Sequence, residues 1–445
     1  MSTYVHVETS RPATLAAPRE RIITGPLALV FTAEFSALTS FYLLLSVTPT
    51  YAARAGAGSA GAGLVTGALL LGTVAAELAS SILMRRYPYR TLLAVGLVLM
   101  GGPALALLSG APLAVVAMVS AIRGFGFGLS TVVLGALTAL LLPPQRRGEG
   151  LGLYGVVACL PGVVALPTGV WLADHVGYSV VVLVTAATAL APLVTFRSLP
   201  GTADPRKATD PRKATDPRKA ADPCETTGPA DAGSPPGLLA GLRRDGQRRL
   251  ALIFAASTVA AGVVVSFLPL AAGASGNVAA IGLLAQALTA TVGRWWAGRQ
   301  GDRHGHAGLL VPGLAIAAAG MLAMIWLASP AALIAGMLLF GAGFGIIQTA
   351  TLALMIERMP ASGIGTASAL WNLAYDAGYG AGPAVFGLFV VHTGYPAAFA
   401  LTGLLVLAAL PAGRRVRLAQ RSAAAPGRER LAHRSAAAPG HAPSH

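Results

Sequence analysis

The stretch "GRQGDRHGHAG", Gly298 to Gly308, gathers Arg299, Asp302, Arg303, His304 and His306 between two long apolar runs. Such a cluster is conspicuous in a chain with only 11% charged residues and 55% hydrophobic ones, at a mean hydropathy of +0.67. A soluble domain carries about 25% charged residues, so this chain has too few to cover a water-facing surface. The apolar residues fall in blocks, at roughly 22–47, 61–84, 90–110, 112–142, 150–173, 178–196, 250–272, 278–298, 308–328, 330–355, 364–390 and 395–413. About 20 apolar residues cross a bilayer as a helix. Blocks this long and uniform read as helices, not as the alternating strands of a barrel. The sequence therefore predicts an all-α integral membrane protein with twelve spans, numbered below in chain order, and the quoted stretch is the turn after the eighth.

The net charge of +15 would suit nucleic acid, but its placement points to a bilayer instead. With the N-terminus inside, the cytoplasmic segments hold Arg11, Arg19 and Arg21, Arg85, Arg86 and Arg90, Arg146 and Arg147, the whole 197–249 connection, Arg299 and Arg303, Arg358, and the tail from Arg414. The external segments hold one basic residue, Arg54. This positive-inside bias predicts a multi-pass protein of the plasma (inner) membrane with both termini cytoplasmic. Residues 1–21 are polar and the first apolar block is too long for a signal core, so no cleaved leader is expected. Cys159 and Cys224 fall in a helix and a cytoplasmic connection, which offers neither a disulfide nor a metal site.

The chain divides into a 1–21 tail, a six-helix half at 22–196, a connection at 197–249, a second six-helix half at 250–413 and a 414–445 tail. The connection contains "ADPRKATDPRKATDPRKAADP", Ala203 to Pro223, whose regular prolines and charges predict a disordered spacer. The two halves are a duplication. "RGFGFG" at Arg123–Gly128 matches "FGAGFG" at Phe340–Gly345, 217 positions on. "HVGY" ending at Tyr178 matches "HTGY" ending at Tyr395, and Arg86 falls on Arg303, at the same offset. Each half begins and ends inside, so the repeats are parallel, with a substrate site expected at their interface near the midplane.

Gly298, Asp302, Arg303 and Gly305 carry a Gly-x-x-x-Asp-Arg-x-Gly pattern at the turn between helices 8 and 9. With the twelve-helix repeat and the long basic connection, this resembles the major facilitator superfamily over residues 22–413, linker excepted. The first-half counterpart is degraded, with Ser81, Arg85 and Pro88 at the glycine, aspartate and second glycine positions. The resemblance implies that Gly298, Asp302, Arg303 and Gly305 form a conformational gate. Asp302 would then meet the start of helix 5, around 148–152, where a helix N-terminus attracts a carboxylate. The alternative is an ordinary inner-face charge cluster. "LPGVVALPTG", Leu160 to Gly169, is loosely similar to the helix 5 of exporters in the family.

Ionisable residues inside the membrane are costly and usually functional. Five qualify: Glu34, Glu77, Arg123, Arg294 and Asp376. Glu77 and Arg294 are 217 apart and opposite in sign, which suggests complementary gates. Arg294 could equally snorkel to the interface. The resemblance assigns helices 1, 4, 7 and 10 to the cavity wall, which selects Glu34, Arg123, Thr131, Ser257 and Gln348. Trp371, Asn372 and Tyr375 of helix 11 are expected to join them. By the same resemblance Glu34 and Arg123 would cooperate in proton coupling, with Asp376 as the rival carboxyl. Burial disfavours a charged carboxyl and a nearby arginine favours it. "GAGFGIIQ" lacks the Lys-Ser/Thr of a P-loop, so ATP is not expected as the driver.

These features predict a monomeric secondary transporter, without cofactor or metal. Its partners would be a small organic molecule, protons and the lipid bilayer, not nucleic acid. Proton-coupled efflux is favoured over proton-linked uptake. A non-transporting membrane sensor on the same scaffold is the reading from another class. No nucleophile–base set or ligand cluster suggests an enzyme.

Overall fold

A computed structural model describes residues 24–142, 147–195, 238–272, 276–359, 363–420 and 422. The Ala203–Pro223 repeat, Cys224 and the N-terminal tail lie outside the described residues. Among those described there are helices and turns but no strand. In the first half these are α1 Gly25–Leu45, α2 Gly58–Arg86, α3 Tyr89–Gly101, α4 Leu113–Leu141, α5 Arg147–His175 and α6 Tyr178–Leu190. The second half has α7 Asp245–Ala271, α8 Gly276–His304, α9 Ala307–Ala323 and α10 Pro330–Glu357. The continuous run Ile364–Ala408 breaks at Gly394 into α11 (364–393) and α12 (395–408).

Among the described residues, ten runs are long and apolar enough to cross a membrane, and two of them, Gly25–Ser80 and Gly365–Gln420, are 56 residues long. As one straight helix, 56 residues would span about 84 Å, more than twice a bilayer core. Each is broken at a glycine in a positive-φ conformation, Gly56 (φ 96°) in one and Gly394 (φ 75°) in the other. Counting each as two passes gives the twelve expected helices. Local chemistry sets the ends. Thr24 and Ser329 cap α1 and α10 by accepting from the Leu27 and Ala332 amides, with a proline in the first turn of each.

The 217-residue repeat extends to packing. A side chain on Gly124 would strike the Leu69 carbonyl, and one on Gly341 the Gln286 carbonyl, its counterpart. Gly128 and Gly345 repeat this against Thr73 and Ala290. Gly126 and Gly343 face the other way, against Gly96 and Gly313. In both halves the first and third of these glycines press against one neighbouring helix and the middle one against another. With no water between helices in lipid, such close backbone approach is what drives association.

The halves meet along α2 against α11 and α5 against α8, two seams that the repeat exchanges. On the first seam Gly63 and Gly67 lie against Pro383, Ala384 and Gly380. Toward the same end, Thr66 hydrogen-bonds Ser266 of α7 at 3.0 Å and Ser59 hydrogen-bonds Tyr395 at 3.3 Å. These contacts join the halves at the end opposite the basic turns.

Candidate functional site

A central cavity of about 1030 Å³ lies between the halves. Its wall comes from α1, α2, α4 and α5 on one side and α7, α8, α10 and α11 on the other. Many lining residues, among them Ser80, Ala139, Arg294, Gly365 and Ser368, sit in the helix portions nearer the basic turns. The cavity therefore extends from mid-bundle toward the basic end, while the opposite end is joined.

Thr131, Gln348, Trp371, Asn372, Tyr375, Glu77 and Arg294 all line this cavity. The Thr131 hydroxyl also donates to the Phe127 and Gly128 carbonyls. Ser257 departs from expectation. It is fully buried, outside the cavity wall, and donates to the Ile253 carbonyl one turn back. Trp371 and Tyr375 belong to an aromatic ladder that sequence alone did not assemble. Trp371 stacks on Phe254 at 4.4 Å and on Tyr375 at 5.9 Å, and Tyr375 stacks on Tyr379 at 5.4 Å. The Trp371 indole N–H donates to Thr351 at 3.2 Å. Tyr42, Tyr154, Cys159, Gln286 and Tyr379 line the cavity as well and were missed. The 217 offset would have found Cys159, as the counterpart of Asp376.

Glu34 and Arg123 are not brought together. Glu34 is buried behind the lining residue Tyr154, whose hydroxyl donates to its Oε1 at 3.1 Å. Its Oε2 is buried without a hydrogen-bond partner. Arg123 donates from Nε to the Met100 carbonyl at 3.0 Å and from Nη2 to the Ser40 carbonyl at 3.2 Å. Beyond Gly101, α3 gives way to the 3-10 turn Pro103–Ser109, where helical carbonyls lose their regular partners. Arg123 thus ties α4 to α1 and α3 through backbone oxygens.

Arg294 does not snorkel. Helix α8 continues to His304, so Arg294 lies ten residues, about 15 Å, from its end. Its guanidinium donates to Cys159 Sγ of α5 at 3.4 Å, across the seam between the halves. On the other seam, the equivalent positions place Glu77 of α2 beside Asp376 of α11. Asp376 is 8% exposed, and Glu77 is half-buried on the cavity wall.

The longer α8 also changes the opening motif. Asp302 and Arg303 stand on its last turn, and Gly305, at φ 86°, ends it. The Asp302 carboxylate is 80% exposed and 3.9 Å from His306 Nε2, while His306 Nδ1 lies 2.8 Å from Glu357 Oε1 of α10. This cluster ties α8 to α10 within one half. Gly298 lies near Thr349 of α10, and Arg303 is exposed. The expected partner of Asp302 is the start of α5 around 148–152, whose side chains lie outside the described residues.

Twelve helices in two repeated halves around a shared cavity define a secondary-transporter architecture. The family model for the Major Facilitator Superfamily matches residues 30–383 and again 250–441. The chain belongs to the major facilitator superfamily, a family of membrane transporters rather than enzymes. Among solved structures it is similar to a D-xylose-proton symporter, with TM-score 0.67 and 17% identity over 87% of this chain and 96% of the other. It is also similar to a bacterial homologue of the human lysosomal transporter Spinster, inward-facing and unoccupied, with TM-score 0.65 and 14% identity over 88% and 95%. A stretch of 130 residues is 32% identical to the tetracenomycin C resistance and export protein of Streptomyces glaucescens, covering 29% of this chain and 24% of that protein.

Proposed function

We propose that this transporter exports a moderately apolar organic molecule with aromatic faces across the plasma (inner) membrane in exchange for protons. Both termini would be cytoplasmic, and the chain would work as a monomer. The observation that carries the reading is the cavity. It presents Trp371, Tyr375 and Tyr379 of the α11 aromatic ladder, one guanidinium, and a carboxyl at the seam. Ring faces suit planar organic molecules and the cavity size suits a drug-sized one. Export is supported by the similarity to the tetracenomycin C export protein, and the basic turns at the cavity's open end, which the positive-inside bias assigns to the cytoplasm, would mark the side from which substrate loads.

In this reading Thr131, Gln348, Trp371, Asn372 and Tyr375 contact substrate. Glu34, reached through Tyr154, and Asp376, reached through Glu77, are the carboxyls that load and discharge protons. Arg123 holds α1 and α4 in register for Glu34 instead of pairing with it. Gly298, Asp302, Arg303 and Gly305 shape the cytoplasmic end of α8 and act as a gate when the halves rock.

The test is transport in inverted vesicles with an acidified lumen, using a panel of planar aromatic fluorophores. Export predicts accumulation that collapses with the proton gradient, and loss of accumulation in Glu34→Gln with binding retained. If Glu34→Gln accumulates while Asp376→Asn does not, Asp376 alone is the coupling carboxyl. Accumulation only in right-side-out vesicles would reverse the direction. Accumulation in neither, with binding intact, would favour a non-transporting sensor.

A further inference from the structure

The chain keeps two arginines at membrane depth, Arg123 and Arg294, and holds them differently. Arg123 is 3% exposed and donates to the Met100 and Ser40 carbonyls. Arg294 stands about 15 Å from the end of α8 and is exposed on the wall of the cavity. Its guanidinium donates to the Cys159 sulfur at 3.4 Å and, among the described residues, has no carboxylate within ion-pair distance. A guanidinium carries five N–H donors, and a thiol is a weak acceptor. An intramembrane arginine ordinarily meets a charged partner or backbone carbonyls. Arg294 therefore has donors to spare for an acceptor that enters the cavity.

The helices around Arg294 fix where its side chain goes. Gly293 is so close to α10 that a Cβ there would strike the Ala342 carbonyl, and the Thr349 hydroxyl donates to the Arg294 carbonyl at 3.3 Å. These contacts hold α8 on α10 while the guanidinium crosses to α5. Gln286, Ala290, Thr291 and Arg294 fall on one face of α8 and line the cavity. On α5, Gly162 lies one turn beyond Cys159, and the Tyr42 ring rests against it, 3.3 Å from where a Cβ would sit. A ring that carries an anion can therefore set the anion on Arg294, with Tyr42 beside it and Trp371, Tyr375 and Tyr379 on the α11 wall. Glu77, the carboxyl on the cavity wall, belongs to the other seam.

We propose that Arg294 selects the substrate, and that the substrate is a planar aromatic acid carried as its oxyanion. The inference deepens the aromatic-substrate reading and rests on it. On loading, the guanidinium passes from the Cys159 sulfur to the oxyanion, so a charge-assisted pair replaces a weak contact. A neutral ring of the same shape gains no such exchange, and a cationic one meets like charge. The exposed Arg299 and Arg303 at the cavity's open end add a field that draws anions inward.

Three anthracene probes of one shape test this: the carboxylate, the methanol and the methylammonium. Binding is read by energy transfer from tryptophan to anthracene in nanodiscs of neutral lipid, with empty nanodiscs subtracted. The wild-type protein should bind the carboxylate at least about tenfold more tightly than the alcohol, and the ammonium most weakly. Arg294→Gln should weaken the carboxylate by at least about tenfold and the alcohol by less than about twofold. Retained alcohol binding reports that the cavity is intact. Arg294→Lys keeps the charge and should keep the carboxylate ahead. A parallel loss of both probes in Arg294→Gln would overturn the proposal, as would an Arg294→Lys protein as indifferent to the anion as Arg294→Gln. Equal binding of carboxylate and alcohol by the wild type would remove the anion site and leave the aromatic reading standing. If no probe binds, both fall. Carboxylate binding that depends on Arg294, in a protein that does not export, would overturn the export reading alone.

Discussion

Arg123→Lys separates a backbone tie from a coupling pair. The Arg123 fork spans two helices, reaching Met100 at 3.0 Å and Ser40 at 3.2 Å. Lysine offers a single compact ammonium in place of that fork, so its donors radiate from one point and do not reproduce both contacts in the same geometry. A hydrogen bond from a charged donor contributes about 1.5–3 kcal/mol, and Arg123→Lys should lower stability by that amount. Glu34 is held separately by Tyr154. Ser40 lies six residues along α1 from Glu34, about 9 Å of helical rise. The assay is equilibrium unfolding in mixed micelles with increasing dodecyl sulfate, followed by tryptophan fluorescence, on Arg123→Lys, Glu34→Gln and the double variant. With no shared partner, the two effects should add to within about 0.5 kcal/mol. A coupling energy above about 1 kcal/mol would show that Glu34 and Arg123 do interact, and would refute the tie.

Other expectations follow from the same contacts. Gly124→Leu places a side chain against the Leu69 backbone, which cannot yield as a flexible side chain could; overpacking of about 1–3 kcal/mol or more should cut folded yield, measured by fluorescence-detected size exclusion. Cys159 lines the cavity, so a membrane-permeant maleimide should label it in a Cys224→Ala protein, and a bound substrate should slow that labelling; equal rates with and without a substrate that is shown to bind would place the site elsewhere. Asp302→Asn should slow transport turnover without loss of folded protein, and an unchanged rate would reduce the motif to an inner-face charge cluster.

What the sequence made legible follows from what membrane helices advertise. Block length and the sidedness of arginine identify the spans, because hydrocarbon tolerates neither open backbone nor free charge. The repeat predicts packing as well as count: Gly124 and Gly341 were aligned by letters and press on the equivalent residues Leu69 and Gln286. Rotation about each helix axis is not advertised. A water-soluble helix shows its buried face by contrast with a polar one, whereas lipid and protein core are both apolar, so Ser257 and Thr131 look alike in sequence. One faces its own backbone inside the bundle and the other reaches the cavity. The same blindness paired Glu34 with Arg123 by analogy, when Glu34 bonds Tyr154 and Arg123 bonds backbone carbonyls. Contacts between the halves are harder still, since the offset relates like positions and not neighbours. Two symmetric seams, however, place any contact on one at the equivalent positions of the other. Once Arg294 is seen on Cys159, the offset alone directs attention to Glu77 and Asp376. One structural contact together with a sequence repeat is then enough to locate a pair that neither would have singled out alone.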